Sequence, residues 1–356
     1  LIVKIIPNDV LFFRESRDFT AGESHLAESL LPLPHTIAGA LMGVMFVRGR
    51  HDLLNLELRE GKFWKPEKWK PNFEVVGTFF MKENELYFPL PKDIVSVKSD
   101  GRNITTMAKL KEVQIGGQSF TIVFADCESP LHFSPVSGFL SFEKLKSYLN
   151  GEYYKKNDIS DEIIENSSLY RWECRVGIGL NSSKTTVEGL FYRTRMLRLE
   201  KGTAIGVVLG EKNLDEVEKT LGKKGTLKLG GEGRFAHYEI IDEDHLEELE
   251  EISVKKNALF KLYLATPLIV DGQSWNIAKV LPEHINAEIV KVFTDRPEKV
   301  TGWDLVKGCP KETLYAVPAG SVYILKAQED LTLKPFYRLG MMVELGYGLV
   351  FVGVYG

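Results

Sequence analysis

Two arginines, Arg193 and Arg195, are separated by a single threonine in the stretch Gly189–Leu199. Side chains alternate along a strand, so an extended chain sets both guanidinium groups on one side, about 7 Å apart. That spacing suits adjacent phosphates. Phe191 and Leu197 share this side, while Tyr192, Thr194, Met196 and Arg198 take the other. Aromatic residues beside basic ones recur at Arg171-Trp172, Phe191-Tyr192-Arg193 and Phe336-Tyr337-Arg338. Such pairs hold single-stranded nucleic acid, with bases stacked on rings and phosphates on guanidinium groups, although core packing accounts for any one pair equally well.

A second anion-capable feature is Gly230-Gly231-Glu232-Gly233-Arg234, since residues without Cβ allow close approach and positive φ. Gly231 to Ala236 fits the dinucleotide fingerprint GxGxxG/A, but Ala236–Ile241 reads as a strand where that motif opens a helix, which argues against a dinucleotide site. A tight turn and an anion contact both stay open for this loop. Catalytic chemistry finds no motif. None of the seven histidines forms HxxH, HExxH or HxH, and Cys127, Cys174 and Cys309 contain no CxxC pair. Neither a metal site nor a disulfide framework is expected, and the cysteines are expected as buried small hydrophobes. His25 and His35 flank the start of the first predicted helix and could act as general acid or base, but spacing identifies no partner for either.

The 356 residues are 44% hydrophobic and 26% charged, which excludes general disorder and is ample for two domains. The longest uncharged apolar run, Ile37–Val47, is shorter than the roughly 20 residues of a membrane span, and the N-terminus lacks the build of a signal peptide. A cytoplasmic address without membrane contact is expected. The net charge of −4 hides a segregation. Glu239–Glu251 carries eight acidic residues and no Lys or Arg, whereas Arg171–Lys201 carries seven basic residues against three acidic. Phosphate binding depends on local charge, so an anionic partner fits there, as does a solvated face.

Positioning these residues requires a particular order of elements. Leu1–Ile6 reads as a strand ended by Pro7-Asn8-Asp9. Ile37, Leu41, Val44 and Met45 recur at helical spacing, predicting a helix on which Gly39 and Gly43 allow close approach to neighbours. Val75–Phe88 and Val113–Phe124 read as strands and Phe142–Leu149 as a short helix. The polar segment Asn150–Ser168 reads as a loop with a helical turn, expected to be poorly ordered. Trp172–Ile178 and Gly189–Leu199 form a predicted long hairpin around Gly179–Thr185. Thr203–Leu209 as strand, Asn213–Leu221 as helix, and Thr226–Leu229 and His237–Ile241 as strands complete a ferredoxin-like pattern.

A second unit begins near Asn257 with the strand Ala258–Ala265. Leu314–Val317 and Val322–Lys326 read as a hairpin around Pro318-Ala319-Gly320. Tyr337–Glu344 reads as a helix that leads through Gly346-Tyr347-Gly348 into the strand Leu349–Val354, an echo of Leu221–Ile241. The expected class is α+β: two tandem ferredoxin-like (RRM-like) domains, 1–252 and 253–356, with a long β-hairpin insertion at about 172–199 and glycine-rich loops.

Three N-terminal segments then stand in a recognisable order: Pro7-Asn8-Asp9-Val10-Leu11-Phe12-Phe13-Arg14, Phe19-Thr20-Ala21-Gly22-Glu23 and Leu33-Pro34-His35-Thr36-Ile37-Ala38-Gly39-Ala40-Leu41. Together they resemble the signature of the RAMP family that supplies the third subunit of type III-B CRISPR (Cmr) effector complexes. Arg175-Val176-Gly177-Ile178, Glu188-Gly189-Leu190-Phe191-Tyr192, Gly230–Arg234, Gly302-Trp303-Asp304-Leu305 and Val317–Tyr323 continue the likeness over nearly the whole chain. The resemblance implies two ferredoxin-like domains, no nuclease activity in this subunit and no cofactor. It also implies that the chain holds the repeat-derived 5′ tag of the crRNA while docking on the large polymerase-like subunit and on the first backbone subunit of the filament.

Gly179–Gly189 matches the family's thumb, which brings in Asn181, Lys184 and Thr185, and Gly230–Arg234 matches its glycine-rich loop. The expected RNA contacts are Arg175, Lys184, Arg193 and Arg195 at phosphates, Tyr192 as a stacking platform, Asn181 and Thr185 in the thumb turn, Gly230, Gly231, Gly233 and Arg234 in the loop, and His35, Thr36 and Arg48 on the first helix. The segment Asn150–Ser168 departs from the family pattern, and no basic residue stands beside Gly346 and Gly348. Two rivals are a repeat-processing endoribonuclease of the same superfold, working through His25 or His35, and an architectural subunit that contacts protein alone.

Overall fold

The computed structural model describes residues 1–13, 26–28, 31–55, 70–99, 101–126, 132–243, 246, 248–304 and 309–356; at 26–28, 115, 188–192, 303, 304, 309 and 310 only the backbone is described. An antiparallel sheet of seven strands runs in the order Phe139–Ser141, Glu85–Pro89, Val75–Lys82, Thr203–Leu209, Ile2–Pro7, Phe235–Ile241, Lys224–Lys228. Thr203–Leu209 lies in the middle and is buried throughout, which explains its unbroken apolar run.

Two helices cover one face of this sheet. The Pro34–Val47 helix starts with Pro34 at its first position, where a missing N–H costs nothing. It buries Ile37, Leu41 and Met45 against Val3, Ile5, Ile205 and Val207. Gly49, at φ +74°, ends it, with Gly49 N–H bonded to the Phe46 carbonyl and Arg50 N–H to that of Met45. The Leu214–Leu221 helix adds Val217 and Leu221 to the same core. With both helices in place, the strands Ile2–Pro7, Val75–Lys82, Thr203–Leu209 and Phe235–Ile241 have the ferredoxin-like connectivity, the long insertions falling between the second and third. Gly39 and Gly43 serve no close approach, contrary to expectation, because nothing lies within 4 Å of the position a Cβ would occupy at either. No helix among the described residues is long and apolar enough to cross a membrane.

A second antiparallel sheet, ordered Ala287–Phe293, Val322–Ala327, Leu259–Leu264, Leu349–Val354, Phe336–Arg338, repeats the inner strand order of the first. Among the described residues, the one helical element in its crossover connections is a 3-10 turn, Ile277–Lys279, where the first sheet has α-helices. Two expectations fail in this half. Leu314–Ala316 pairs with Glu298–Val300 and forms no hairpin with Val322–Ala327, because Gly320, at φ +87°, docks on the first half, where its carbonyl accepts from Lys92 N–H at 2.9 Å. The stretch Tyr337–Glu344 is not helical. Phe336–Arg338 is an edge strand, and Met341 N–H then donates to the Ile269 carbonyl at 2.8 Å, a tertiary bond that replaces a helical one.

Between the sheets lies a shared core. Ile2, Met81, Phe88 and Val208 of the first meet Tyr263, Ile324 and Phe351 of the second, with the Phe142–Leu149 helix beside them. Inside it Lys261 is fully buried, its ammonium 3.6 Å from the centre of the Tyr148 ring and 4.9 Å from that of Tyr154. Tyr148 donates its hydroxyl to buried Asp93. Burial pushes the Lys261 ammonium down and the Asp93 carboxyl up, each opposed by the other's charge. Asn150–Ser168 is also packed rather than loose. Its 3-10 turns bury Tyr153 and Ile159, and Glu162, held by Lys144 and Lys156, sits below the usual carboxylate range.

Candidate nucleic-acid interface

Tyr170–Leu180 and Thr186–Leu199 form the long hairpin, in a register that sets Leu197 opposite Trp172, Arg195 opposite Cys174 and Arg193 opposite Val176. Leu26–Glu28 adds a short parallel third strand beside Arg193–Arg195. Residues directly opposite share a face, so Trp172, Cys174, Val176, Arg193 and Arg195 line one side, and Arg171, Glu173, Arg175, Thr194 and Arg198 the other. Cys174 is exposed here, in place of the burial expected of it; Cys127 lies outside the described residues, as does the side chain of Cys309.

The Arg193 side is basic and aromatic at once. The Arg195 guanidinium lies over the Trp172 ring, 4.7 Å from its centre, in a cation–π contact. Arg193 is exposed one step further out, where Val176 is 63% and Ile178 51% exposed. At the tip Asn181 closes the turn. Its side-chain oxygen accepts from Ser183 and Thr185 N–H, and its amide donates to Thr185 Oγ1 at 2.6 Å. Asn181 and Thr185 therefore shape the turn, leaving Lys184, at φ +60°, exposed on it. The side chain of Tyr192 lies outside the described residues.

The opposite side is electrically balanced. Asp9 accepts from Arg175 at 3.0 Å, Arg198 at 2.9 Å and Arg234 at 3.3 Å. Glu173 accepts from Arg198 and Arg175, whose bonds hold its carboxyl down at about 2. Arg234 also meets Glu232 at 3.3 Å. Arg175, expected at a phosphate, and Arg234, expected as an RNA contact in the glycine loop, thus sit in ion pairs that tie the hairpin to the first strand and the glycine loop. That loop turns against its own chain: Gly231 N–H donates to the Phe12 carbonyl at 2.8 Å, and a methyl group at Gly230, φ +76°, would fall 2.7 Å from the same oxygen. Gly233 alone of the three glycines faces open space.

The first-helix candidates are also engaged within the chain. Arg48 donates to the Thr220 carbonyl and to the Tyr238 hydroxyl, fastening the two helices to the sheet. Thr36 N–H bonds the Leu33 carbonyl in the opening turn. His35 stacks on Tyr347 and bonds its hydroxyl at 2.7 Å. Burial and the Lys311 charge hold this imidazole down at about 4, against a backbone bond at Thr301, so it is uncharged at neutral pH. An imidazole clamped on a buried tyrosine is poorly placed for general acid chemistry on a strand at the hairpin. His25 lies outside the described residues. No group of three His, Cys, Asp or Glu among the described residues is arranged to hold a metal ion.

A cleft of about 740 Å³ opens at the hairpin base, between the two halves of the chain. Phe80, Tyr170, Trp172 and Arg195 line its first-half wall, and Glu298 and Lys299 its second-half wall. The basic face of the hairpin therefore runs directly into an aromatic recess. A model of the family described as CRISPR-associated protein (Cas_Cmr3) matches residues 3–355. The chain belongs to that family. Among solved structures, the Cas_Cmr3 chain is similar to one in a cryo-EM structure of the type III-B Cmr-beta bound to cognate target RNA and AMPPnP, state 1, at 19% identity over 92% of this chain and 86% of that one, with a TM-score of 0.53. A chain in the type III-B Cmr-beta bound to cognate target RNA gives 18% identity, the same coverage and a TM-score of 0.50. At these identities the likeness is one of fold, consistent with the β-rich ferredoxin-like architecture described above. No curated protein matches.

Sequence reasoning placed Arg193 and Arg195 on a common face but missed what surrounds them. Asp9 was legible only as part of a turn, and its three arginine partners lie between 166 and 225 residues away. Glu298 and Lys299 stand in no motif. Their place in this Cas_Cmr3 cleft follows from pairing of Glu298–Val300 with Leu314–Ala316, which no periodicity announces.

Proposed function

We propose that this chain is the non-catalytic crRNA-binding subunit of a type III-B Cmr complex, holding the repeat-derived 5′ tag of the guide against the Arg193 side of the hairpin. Family membership supports the complex and the absence of nuclease activity. The observation that carries the RNA reading is the pair Arg193 and Arg195 side by side on one hairpin face, with Arg195 over Trp172 at the mouth of the aromatic cleft. In this reading Arg193, Arg195 and Lys184 meet phosphates and Tyr192 stacks on a base. Asn181 and Thr185 present Lys184, while Arg175, Gly230, Gly231, Gly233 and Arg234 form the platform under the arm, with His35, Thr36 and Arg48 securing the frame. We read the chain as two tandem ferredoxin-like units, 1–252 and 253–356, supported by the shared strand order of the two sheets. Docking on the large polymerase-like subunit and the first backbone subunit completes the proposal, and a guide-RNA particle of this kind belongs in the cytoplasm.

The test is RNA affinity against salt for the Arg193→Ala/Arg195→Ala double variant. Affinity for repeat-derived RNA is expected to fall about 10- to 100-fold at low salt. The slope of log affinity on log salt should shrink by about 1.4, at ~0.7 per lost phosphate contact. Unchanged affinity and slope would remove these two residues from the interface. Repeat RNA incubated with the purified chain should stay uncut, and specific cleavage abolished by His35→Ala would instead favour the endoribonuclease.

A further inference from the structure

We infer that the outer edge of the first sheet, Lys224–Lys228, is a docking site for an extended acidic segment of a partner protein, which adds to the sheet as one more strand. The inference stands apart from the RNA reading of the hairpin.

The other outer strands of the two large sheets are blunted. Phe139–Ser141 is buried and exchanges backbone bonds with Ile164. Phe336–Arg338 is three residues long and half-buried, with Arg338 turned back onto Glu74 and the Val343 carbonyl. Ala287–Phe293 breaks register between Ile289 and Lys291, a device that spoils further pairing. Lys224–Lys228 has none of these features, and its register with Phe235–Ile241 is unbroken. Ile240 N–H bonds the Lys223 carbonyl and Leu229 N–H that of Arg234, so the odd-numbered residues of this strand bond inward. The N–H and C=O groups of Lys224, Thr226 and Lys228 therefore point outward, where no described residue meets them.

Charge selects the occupant. Lys223, Lys224 and Lys228 are exposed and make no ion pair with any described residue, and Glu239, opposite Lys224, is taken by Lys4. A second copy of the chain does not fit: antiparallel self-pairing about Thr226 sets Lys224 of one copy against Lys228 of the other. A phosphate chain meets the lysines but brings acceptors alone, leaving the outward carbonyls without donors. A peptide strand brings donors and acceptors in alternation, and acidic side chains at every second position fall on the face that carries Lys224 and Lys228. Its remaining side chains turn to the other face, the one on which Leu227 joins the helix-covered core. There the Pro34–Val47 helix packs against this strand and ends in Phe46, 50% exposed, and Val47, 85% exposed. Lysines on an edge thus turn away the chain's own kind and admit a segment of opposite charge.

The experiment is fluorescence-anisotropy binding of short, capped, dye-labelled peptides to the full chain, with amide hydrogen exchange over Lys223–Leu229 to locate the contact. The probes are an alternating Glu–Val peptide, its Lys–Val counterpart, and the Glu–Val peptide N-methylated at its glutamates, which keeps the charge and loses the backbone donors. The Glu–Val peptide should bind at least about tenfold more tightly than either of the others and slow exchange at Lys224, Thr226 and Lys228. Lys224→Glu/Lys228→Glu, verified as folded by thermal unfolding, should reverse the order of the Glu–Val and Lys–Val peptides. No binding of the Glu–Val peptide, equal binding of the Lys–Val peptide, or an order that survives the charge reversal would each overturn the inference. Equal binding of the N-methylated peptide would reduce the edge to a charged patch without strand addition, and tighter binding of oligouridylate that protects the same amides would assign it to nucleic acid; both outcomes reject the inference. None of these results bears on Arg193 and Arg195, so the hairpin reading stands or falls by its own test.

Discussion

The two faces of the hairpin carry the same residue type to opposite ends. On one side Arg175 and Arg198 are matched by Asp9 and Glu173, giving a latch that joins the arm to the first strand. On the other, Arg193 stands exposed and Arg195 rests on Trp172 at the mouth of a cleft. One residue of register separates the arginines of the latch from those on the cleft side, because successive side chains of a strand belong to different environments. Total charge in such a segment therefore says little. Where each guanidinium stands, in the latch or beside the cleft, is more informative than the sum.

Substitutions can pull the two faces apart, and the largest effect should come from beneath the latch. Gly230→Ala forces a Cβ against the Phe12 carbonyl at a φ that alanine disfavours, and should cost about 2–3 kcal/mol in chemical denaturation. Any variant that stays folded should keep the wild-type salt slope for RNA. Asp9→Ala removes the carboxylate shared by three arginines. The pairs are partly exposed, so about 1–2 kcal/mol is expected, seen as a lower Tm. Arg193→Ala/Arg195→Ala should do the reverse, costing RNA affinity while shifting stability by less than about 1 kcal/mol. Equal effects of the two sets on stability and on RNA would erase the distinction between the faces.

Smaller effects sharpen it. Asn181→Ala should loosen the turn by about 0.5–1 kcal/mol, measured as faster amide exchange at the hairpin tip with the sheets unaffected. The acid limb of stability should report Glu173. Its folded carboxyl, held at about 2, lies below the ordinary value of 4.5, so its contribution is complete above about pH 4.5 and drains away as pH falls toward 2. Glu173→Gln should flatten stability across that window and leave the neutral-pH salt dependence of RNA binding unchanged.

Much of this fold was legible where local pattern and tertiary environment agree. Thr203–Leu209 and Leu349–Gly353 are buried strand segments rich in apolar residues, and the Phe142–Leu149 helix buries Phe142, Leu145 and Leu149 at helical spacing. Failures came where distant backbone intervened. The Ile269 carbonyl captures Met341 and breaks the expected helix, and docking of Gly320 at Lys92 separates two strands read as a hairpin. The site divides the same way. Alternation predicted the shared face of Arg193 and Arg195, but the neutralisation of Arg175 by Asp9 depends on contacts across 166 residues, and Glu298 becomes a recess carboxylate only once two halves meet.

The Lys261 ammonium, boxed by Tyr148 and Tyr154 from the other half of the chain, has a mechanical consequence. Prying the sheets apart would strand a cation from its rings and from Asp93 before water could replace them, so hinge motion starts uphill. The recess at the arm's base, set between the same two halves, is therefore held to the shape that folding gives it.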